Sequence, residues 1–366
     1  MSPSSDPVEV VSQRLDIFVT ERRADAAAMG AEAVLFVDAA AATLRGGKGL
    51  RARFCIAGWK AVEEASATAL SSGIADAAAT AAAALEVFHA AALVHDDLID
   101  NSDTRRGRPA AHRALEQAHR DADWHGDAES FGRSAAVLLG DLLVAWSDDL
   151  FEEALGALDA EHASAARAEY ARMRRDVTVG QFLDVAEESA FRTEPDDRHA
   201  DRALRVASFK SARYSVQQPL VIGAALAGAD DAQRAALAAF GHPLGMAFQL
   251  RDDVLGVFGD AAVTGKPSGD DLREGKRTVL VAYTRTALGT PARRIVDELL
   301  GDPGLDPSQI RFLQQTITAT GALDRVEQLI ADYAHEADRA LIGARLGNAA
   351  VGELRDLARA ATERRQ

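Results

Sequence analysis

Residues 80–107 of the chain, TAAAALEVFHAAALVHDDLIDNSDTRRG, decide the fold and contain much of its chemistry. The part from 80 to 94 is almost wholly apolar, which predicts a helix that is buried on most sides. Along one face of this helix, steps of four and three residues connect Asp100, Asp96, Leu93, His89 and Glu86. Because buried carboxylates without partners are costly, we expect this face to line a cleft that contains metal or water.

Three aspartates end the apolar run, and two arginines follow shortly after: Asp96, Asp97 and Asp100, then Arg105 and Arg106. If this part is helical, Asp96 and Asp100 lie on one face and repel each other unless a cation binds both. Carboxylate oxygens suit Mg²⁺, which proteins usually hold through one or two carboxylates and the phosphates of a substrate. Guanidinium groups bind phosphate oxygens. The pattern favours a metal and diphosphate site, and the alternative is a solvated acidic helix end followed by a basic turn.

Three further segments contain residues suited to phosphate or metal chemistry: GGKGLR at 46–51, FKSA at 209–212 and GMAFQLRDD at 245–253. The glycine pair of the first segment predicts a break between helices, so Lys48 and Arg51 are expected to project near the first turn of the next helix. In the third segment and just beyond it, one helix face carries Gly245, Gln249, Asp252 and Gly256.

Composition indicates an all-α protein. The chain has 366 residues, 48% of them hydrophobic, with only 10 prolines, and strand-type alternation is hard to find. We expect a single domain, 1–366, of about a dozen helices. Residues 1–25 are expected to form an N-terminal extension that is helical in part. Residues 116–133 are expected to form a long polar loop, because their charge and glycine content leave little to bury.

Charge and cysteine content restrict the partners and the compartment. A net charge of −15 argues against nucleic acid as a ligand. No stretch reaches about 18 apolar residues without a charge, so no membrane-spanning segment is expected. The single cysteine, Cys55, excludes an internal disulfide, and we expect a cytoplasmic protein.

Taken in order, the four segments resemble the motifs of the trans-isoprenyl diphosphate synthases, also called polyprenyl synthetases. The first aspartate-rich motif with its following RRG resembles residues 96–107, and the second resembles residues 245–253. The resemblance covers most of the chain, from 46 to about 277. It implies an isoprenoid synthase fold, a helical bundle around a deep central cavity, and a homodimer that binds prenyl diphosphates and three Mg²⁺ ions.

The resemblance also implies a role for individual residues. Four side chains would bind isopentenyl diphosphate, the five-carbon extender, without metal: Lys48, Arg51, His89 and Arg106. The allylic diphosphate would be bound by Arg105, Lys210, Lys266 and Lys276. The metal ligands would be Asp96, Asp97, Asp100, Asp252 and Asp253. Catalytic dipoles directed at the allylic cation would come from Lys210, Ser211 and Gln249.

Two further expectations concern the second aspartate motif and the loop that follows it. Gly256 stands where the family commonly has a third aspartate, and we expect this loss to weaken the third metal site or slow the first condensation. A mobile phosphate-covering loop is expected at 265–271, because this segment has the glycines and charges of a lid.

Product length in this family depends on the depth of the tunnel below the first aspartates. The small Ala91 and Ala92 should leave the tunnel open, and Phe88 could form its floor, which favours a C20 geranylgeranyl diphosphate synthase-like enzyme. Products of C15, C25 or more remain alternatives, and Phe88 is otherwise an ordinary core aromatic.

Two alternative functions from other classes of protein remain open. A class I terpene cyclase shares the first aspartate motif, but it would not need Lys48, Arg51 and His89 for a second diphosphate. A catalytically weak partner subunit of a heteromeric synthase would explain the altered second motif at Gly256.

Overall fold

The computed structural model describes residues 6–66, 72–259 and 268–362, and this part of the chain is nearly all helical. In chain order its α-helices are α1 (Pro7–Ala27), α2 (Ala31–Thr43), α3 (Leu50–Glu63), α4 (Ser72–Ile99), α5 (Ala111–Asp121), α6 (Ala128–Leu155), α7 (Ala160–Ala190), α8 (His199–Val206), α9 (Gln218–Leu226), α10 (Asp231–Phe258), α11 (Asp270–Glu274), α12 (Val279–Ala287), α13 (Thr290–Leu299), α14 (Pro307–Ala319), α15 (Ala322–Ala340) and α16 (Asn348–Thr362). The all-α prediction is confirmed.

Three other kinds of element interrupt the α-helices. A π-helical segment, Ala207–Gln217, lies between α8 and α9. Two single 3₁₀ turns, Phe191–Thr193 and Asp196–Arg198, follow α7. Within the described residues the only strands are β1 (Thr104–Arg105) and β2 (Arg108–Pro109), which pair antiparallel as a minimal hairpin.

The chain divides into two compact units, Met1–Arg167 with Ile222–Gly228, and Ala168–Val221 with Ala229–Gln366. In the first unit, α4 packs against α3, α6 and α1. In the second unit, α10 packs against the π-helical segment and α15. The single-domain organisation expected from the sequence stays a prediction.

Helix α4 forms the centre of the first unit because its alanines let neighbouring helices approach closely. The run from 81 to 85 has no exposed surface, and Ser147 of α6 donates a hydrogen bond of 2.6 Å to the carbonyl oxygen of Ala84. Among the described helices, Ala75–Ile99 alone is long and apolar enough to cross a membrane, and 78% of its most apolar window is buried inside the protein. Such burial is typical of the core helix of a globular protein.

The N-terminal part of the chain is helical from Pro7 onward. The carboxylate of Asp6 accepts a hydrogen bond of 3.0 Å from the backbone N–H of Val8, which caps α1. The ring of Phe18 packs edge-on against Trp146, with ring centroids 5.6 Å apart, so α1 contributes to the core of the first unit.

The long polar loop expected at 116–133 is wrong, since α5 continues to Asp121 and α6 begins at Ala128. Glu116 is buried although charged, because guanidinium groups of neighbouring arginines bind its carboxylate. Ring-to-ring contacts at centroid distances of 5.0 to 6.0 Å join His119, Trp124 and Phe131. These aromatic rings give the segment a small core that its overall polarity concealed.

Candidate active site

The end of α4 places the first aspartates against Arg105. The backbone N–H of Asp100 donates to the carbonyl oxygen of Asp96 at 2.8 Å, so these two residues are one helical turn apart, as predicted. Asp97 is only 2% exposed, and its Oδ1 accepts a hydrogen bond of 2.7 Å from Nε of Arg105. Burial raises the pKa of Asp97, and the bound Arg105 opposes that increase. The guanidinium also lies 3.5 Å from Oδ2 of Asp96, so it is held beside both carboxylates.

A tight turn directs Arg106 towards the loop that precedes α3. Arg106 and Gly107 have positive φ angles of 53° and 71°, as a two-residue hairpin turn of the primed type requires. Nη1 of Arg106 donates to the carbonyl oxygen of Gly46 at 2.9 Å. A Cβ atom at Gly47 would lie 2.8 Å from Nη2 of Arg106, so glycine is needed for this close approach. The glycine pair therefore accommodates a guanidinium group.

The break predicted before α3 is confirmed, since α2 ends at Thr43 and α3 begins at Leu50. Lys48 lies in the loop, and Arg51 lies in the first turn of α3. Oε1 of Glu86 accepts a hydrogen bond of 3.0 Å from the backbone N–H of Ala52. Glu86 therefore ties the start of α3 to α4.

His89 lies where three guanidinium groups act on it. Burial lowers the pKa of His89 well below its usual value, and the charges of Arg51, Arg106 and Arg105 lower it further. The imidazole is therefore neutral at physiological pH and can donate one hydrogen bond and accept another. The first unit thus brings Arg51, His89, Arg105 and Arg106 together, as the sequence motifs suggested, in a chain with a net charge of −15.

In the second unit, Lys210 lies in the π-helical segment, a feature that sequence spacing did not predict. Three glycines of neighbouring helices admit the wider turn of this segment. A Cβ atom at Gly180 of α7 would strike the backbone of Lys210, and one at Gly245 of α10 would lie 2.5 Å from the carbonyl oxygen of Ala212. Gly241 makes a similar approach to the end of the segment. Alanine at these positions would displace backbone atoms, so the glycines hold the segment in place.

Two carboxylates of α7 that sequence analysis missed lie near Lys210. Oδ2 of Asp184 is 2.5 Å from Nζ of Lys210. Burial raises the pKa of Glu188, Asp184 raises it further, and Lys210, Lys276 and Arg277 oppose the increase. Asp184 and Glu188 are four residues apart, the same spacing that identified Asp96 and Asp100. The sequence therefore contained the spacing by which these two carboxylates could have been identified.

The second aspartate motif lies on α10, where neighbouring carboxylates act on Asp253. Asp253 is 9% exposed, and its Oδ1 accepts a hydrogen bond of 2.7 Å from Nε2 of Gln249. Burial, together with the charges of Asp271 and Asp252, raises the pKa of Asp253 to about 7. The protonated form of Asp253 is therefore favoured far more than that of an exposed aspartate.

The carboxylate of Asp271 occupies the space next to Gly256. A Cβ atom at Gly256 would fall on this carboxylate group. Nζ of Lys276 lies 3.5 Å from Oδ1 of Asp271 and 2.6 Å from Oε2 of Glu274. A carboxylate from α11 thus lies next to Gly256, the position on α10 where the family commonly has a third aspartate. The spacing of residues within α10 could not indicate this contact.

The donor chemistry of both regions fits Mg²⁺, because the ionised oxygen donors are carboxylates. Within residues 6–66, 72–259 and 268–362, no three His, Cys, Asp or Glu side chains converge into a preformed metal site.

The other predicted site residues have these positions. Phe88 and Ala91 of α4 are buried, and Ala92 is half-buried. Ser211 is half-buried in the π-helical segment. Lys266 and the first part of the expected lid, residues 265–267, lie outside the described residues.

Comparison with known proteins identifies related enzymes. The profile of the polyprenyl synthetase family matches residues 34–317. The chain is 37% identical over 223 residues to (2E,6E)-farnesyl diphosphate synthase of Mycobacterium tuberculosis, a match that covers 61% of this chain and 55% of the relative. It is 31% identical over 255 residues to geranylgeranyl diphosphate synthase of Sulfolobus acidocaldarius, covering 70% of this chain and 68% of the relative. The matched part thus spans little more than half of the first relative's length.

Among solved structures, the chain is similar to a geranylgeranyl pyrophosphate synthase from Corynebacterium glutamicum, crystallised with isoprenyl diphosphate and magnesium. The TM-score is 0.90 at 38% sequence identity, and the alignment covers 98% of both chains. The fold therefore agrees over nearly the whole chain.

Proposed function

The chain belongs to the polyprenyl synthetase family, and we propose on that premise that it is a magnesium-dependent trans-prenyltransferase. In the proposed reaction, isopentenyl diphosphate is condensed with dimethylallyl, geranyl or farnesyl diphosphate to give a linear all-trans prenyl diphosphate. The observation that carries this proposal is the convergence of three arginines on the neutral His89, one of which also binds Asp97. In an acidic chain, such a cluster favours a diphosphate ligand.

The two diphosphates would be bound by different residues. The extender would bind, without metal, to Lys48, Arg51, His89 and Arg106. The allylic diphosphate would bind to Arg105, Lys210 and Lys276, with Lys266 as a further contact. The contacts of Lys210 with Asp184 and of Lys276 with Glu274 support this role, because each ammonium group is held in place before substrate arrives.

In this reaction, three Mg²⁺ ions would be held by Asp96, Asp100 and Asp252. Bound magnesium would stabilise the negative charge that develops on the leaving diphosphate. The resemblance to the family motifs also implies that Asp97 and Asp253 bind metal. Their contacts favour a supporting role, because Asp97 holds Arg105 and Asp253 accepts a hydrogen bond from Gln249.

The residues of the chain would direct the bond changes. The bond between C1 and oxygen of the allylic diphosphate breaks, and its electron pair leaves with the diphosphate, which Arg105, Lys210 and Lys276 hold. Since the amide nitrogen of Gln249 donates to Asp253, its amide oxygen would face the allylic cation, and Ser211 would supply a further dipole. The double bond of the extender attacks C1, and the departing diphosphate accepts the proton that the extender loses. Exclusion of water prevents the cation from being quenched.

One assay tests this proposal against its alternatives. The purified chain is mixed with Mg²⁺, isopentenyl diphosphate and an allylic primer, and the products are separated by chromatography. An elongated diphosphate supports the prenyltransferase. A cyclic hydrocarbon would instead identify a class I terpene cyclase, and the absence of product would identify a catalytically weak partner subunit.

We propose a C20 product, geranylgeranyl diphosphate. The buried Phe88 of α4, one turn below Ala92, supports a floor at this depth. Relatives are named for farnesyl and for geranylgeranyl products, so the test has to be made on this chain. Phe88→Ala should shift the product distribution to longer chains, and an unchanged distribution would remove Phe88 from this role.

We also propose a cytoplasmic homodimer. The apolar side chains of Val179, Phe182 and Val185 follow each other at steps of three along α7, and Phe182 is 68% exposed. An apolar stripe of this kind favours burial against a second copy. Light scattering of the purified protein measures the mass directly, and a monomer would contradict this part of the proposal.

A further inference from the structure

Glu86 belongs to the ionisable face of α4, but its carboxylate contacts the neighbouring helix. Its Oε1 accepts a hydrogen bond of 3.0 Å from the backbone N–H of Ala52, in the first turn of α3. We infer that Glu86 is a positioning residue, which fixes the first turn of α3 and thereby holds Arg51 for the diphosphate of the extender. This inference rests on the proposed function.

Helix α3 has no cap of its own, which is why it depends on α4. The first N–H groups of a helix have no partner within the helix. The residue before α3 is Gly49, with a φ of 57°, and it offers no side chain to accept a hydrogen bond. A Cβ atom at Gly49 would lie 2.7 Å from a methyl group of Val8, so a capping Ser, Thr or Asp does not fit there. The acceptor for Ala52 has to come from another element, and Glu86 supplies it.

The same carboxylate acts on the other end of the loop through Arg106. Arg106 donates to the carbonyl oxygen of Gly46, at the start of the loop that leads into α3. Desolvation lowers the pKa of Arg106, and the nearby negative charge of Glu86 opposes that decrease. The segment from 46 to 52 is thus held at one end by Glu86 and at the other end by Arg106.

Two variants of Glu86 separate the hydrogen bond from the charge. Glu86→Ala removes both, whereas Glu86→Gln keeps an oxygen acceptor. We expect Glu86→Ala to raise the KM for isopentenyl diphosphate about five- to tenfold, the effect of one lost helix cap, and Glu86→Gln to restore most of it. The KM for the allylic primer and kcat should stay within about twofold of the original values, because the lost contact concerns the extender's side. Asp76→Ala is the matched control, since it removes an exposed carboxylate from the same helix.

Hydrogen exchange of the Ala52 amide provides a readout that does not depend on activity. This amide should exchange faster in Glu86→Ala and remain protected in Glu86→Gln and in Asp76→Ala. An unchanged KM for the extender in Glu86→Ala, or an unchanged exchange rate, overturns the inference, and so does a Glu86→Gln variant that is as impaired as Glu86→Ala. A native chain that makes no elongated product overturns the proposed function instead, while faster exchange in Glu86→Ala would still show that Glu86 caps α3.

Discussion

The two carboxylate-rich regions differ in how their charges are balanced. At the end of α4, the buried Asp97 shares a guanidinium group with Asp96, and further arginines act on His89. On α10, Asp253 is surrounded by other carboxylates, and its pKa rises to about 7. The first region is thus prepared for an anion, whereas in the second region burial and neighbouring carboxylates raise the pKa of Asp253, which favours a bound cation. Similar acidic motifs therefore contribute different chemistry.

Apart from the proposed metal ligands, the largest effect is expected from the glycine contacts, which occur in the second region. Gly245→Ala places a Cβ atom 2.5 Å from the carbonyl oxygen of Ala212 and should displace the π-helical segment that carries Lys210. We expect kcat to fall roughly 10²-fold, the cost of a displacement of about 1 Å at a reacting centre. Steady-state kinetics measure the change, and circular dichroism checks that the variant remains helical.

Gly352→Ala is the control for this variant, because it lies in α16 with no atom within 4 Å of the added Cβ. It should keep full activity and gain about 1 kcal/mol of stability. A Gly245→Ala variant with the original kcat would show that the π-helical segment does not position Lys210.

A smaller effect is expected from Arg106 of the first region. Arg106→Gln loses the charged hydrogen bond to Gly46 and should raise the KM for isopentenyl diphosphate roughly tenfold. The Mg²⁺ concentration for half-maximal activity should stay the same, because Arg106 is proposed to bind the extender without metal. Arg108→Gln, at another exposed arginine of the same hairpin, is the control. A changed Mg²⁺ requirement would contradict the division of roles between the two regions.

The smallest effect concerns stability and pH at Asp253. The folded protein holds a proton on Asp253 up to about pH 7, whereas an exposed Asp releases it near 3.8. Between these two pH values, the folded state therefore binds more protons than the unfolded state does. The free energy of unfolding consequently falls as the pH rises. Asp253→Asn removes this loss while keeping an oxygen acceptor for Gln249. In EDTA, its Tm should exceed that of the original protein by roughly a few degrees at pH 8, and the difference should shrink towards pH 4.

Thermal unfolding followed by fluorescence between pH 4 and pH 8 measures this difference. A Tm difference that is the same at every pH would show that Asp253 does not titrate in this window. Asp231→Asn, at an exposed aspartate in the first turn of α10, provides the comparison.

Patterns within one helix were predictable from the sequence, whereas contacts between helices were not. The apolar run of α4, the one-turn spacing of Asp96 and Asp100, and the break at Gly46 and Gly47 follow from local periodicity and turn chemistry. Periodicity could not reveal that Glu86 contacts α3 instead of contributing to a common acidic face. The position of the Asp271 carboxylate beside Gly256 depends on how α11 packs, which a single sequence does not encode locally.

Two other features of the fold were not predicted from the sequence, for different physical reasons. The π-helical segment is stabilised by the close approach of glycines on α7 and α10, so no period of three or four residues within 207–217 indicates it. The loop expected at 116–133 is mostly helical, because its few aromatic rings pack on one another despite the surrounding charges. In both cases the packing of neighbouring side chains or backbone overrides the local composition.

The claim that both carboxylate regions serve one magnesium-dependent reaction is tested most directly by a double-mutant cycle. Asp96→Asn and Asp252→Asn should each lower kcat by about 10²–10³-fold, as when one group that stabilises the transition state is removed. If both act on the same diphosphate departure, the double variant should be little worse than the more severe single variant. Losses that multiply in the double variant would show that the two regions act independently, and would contradict the account.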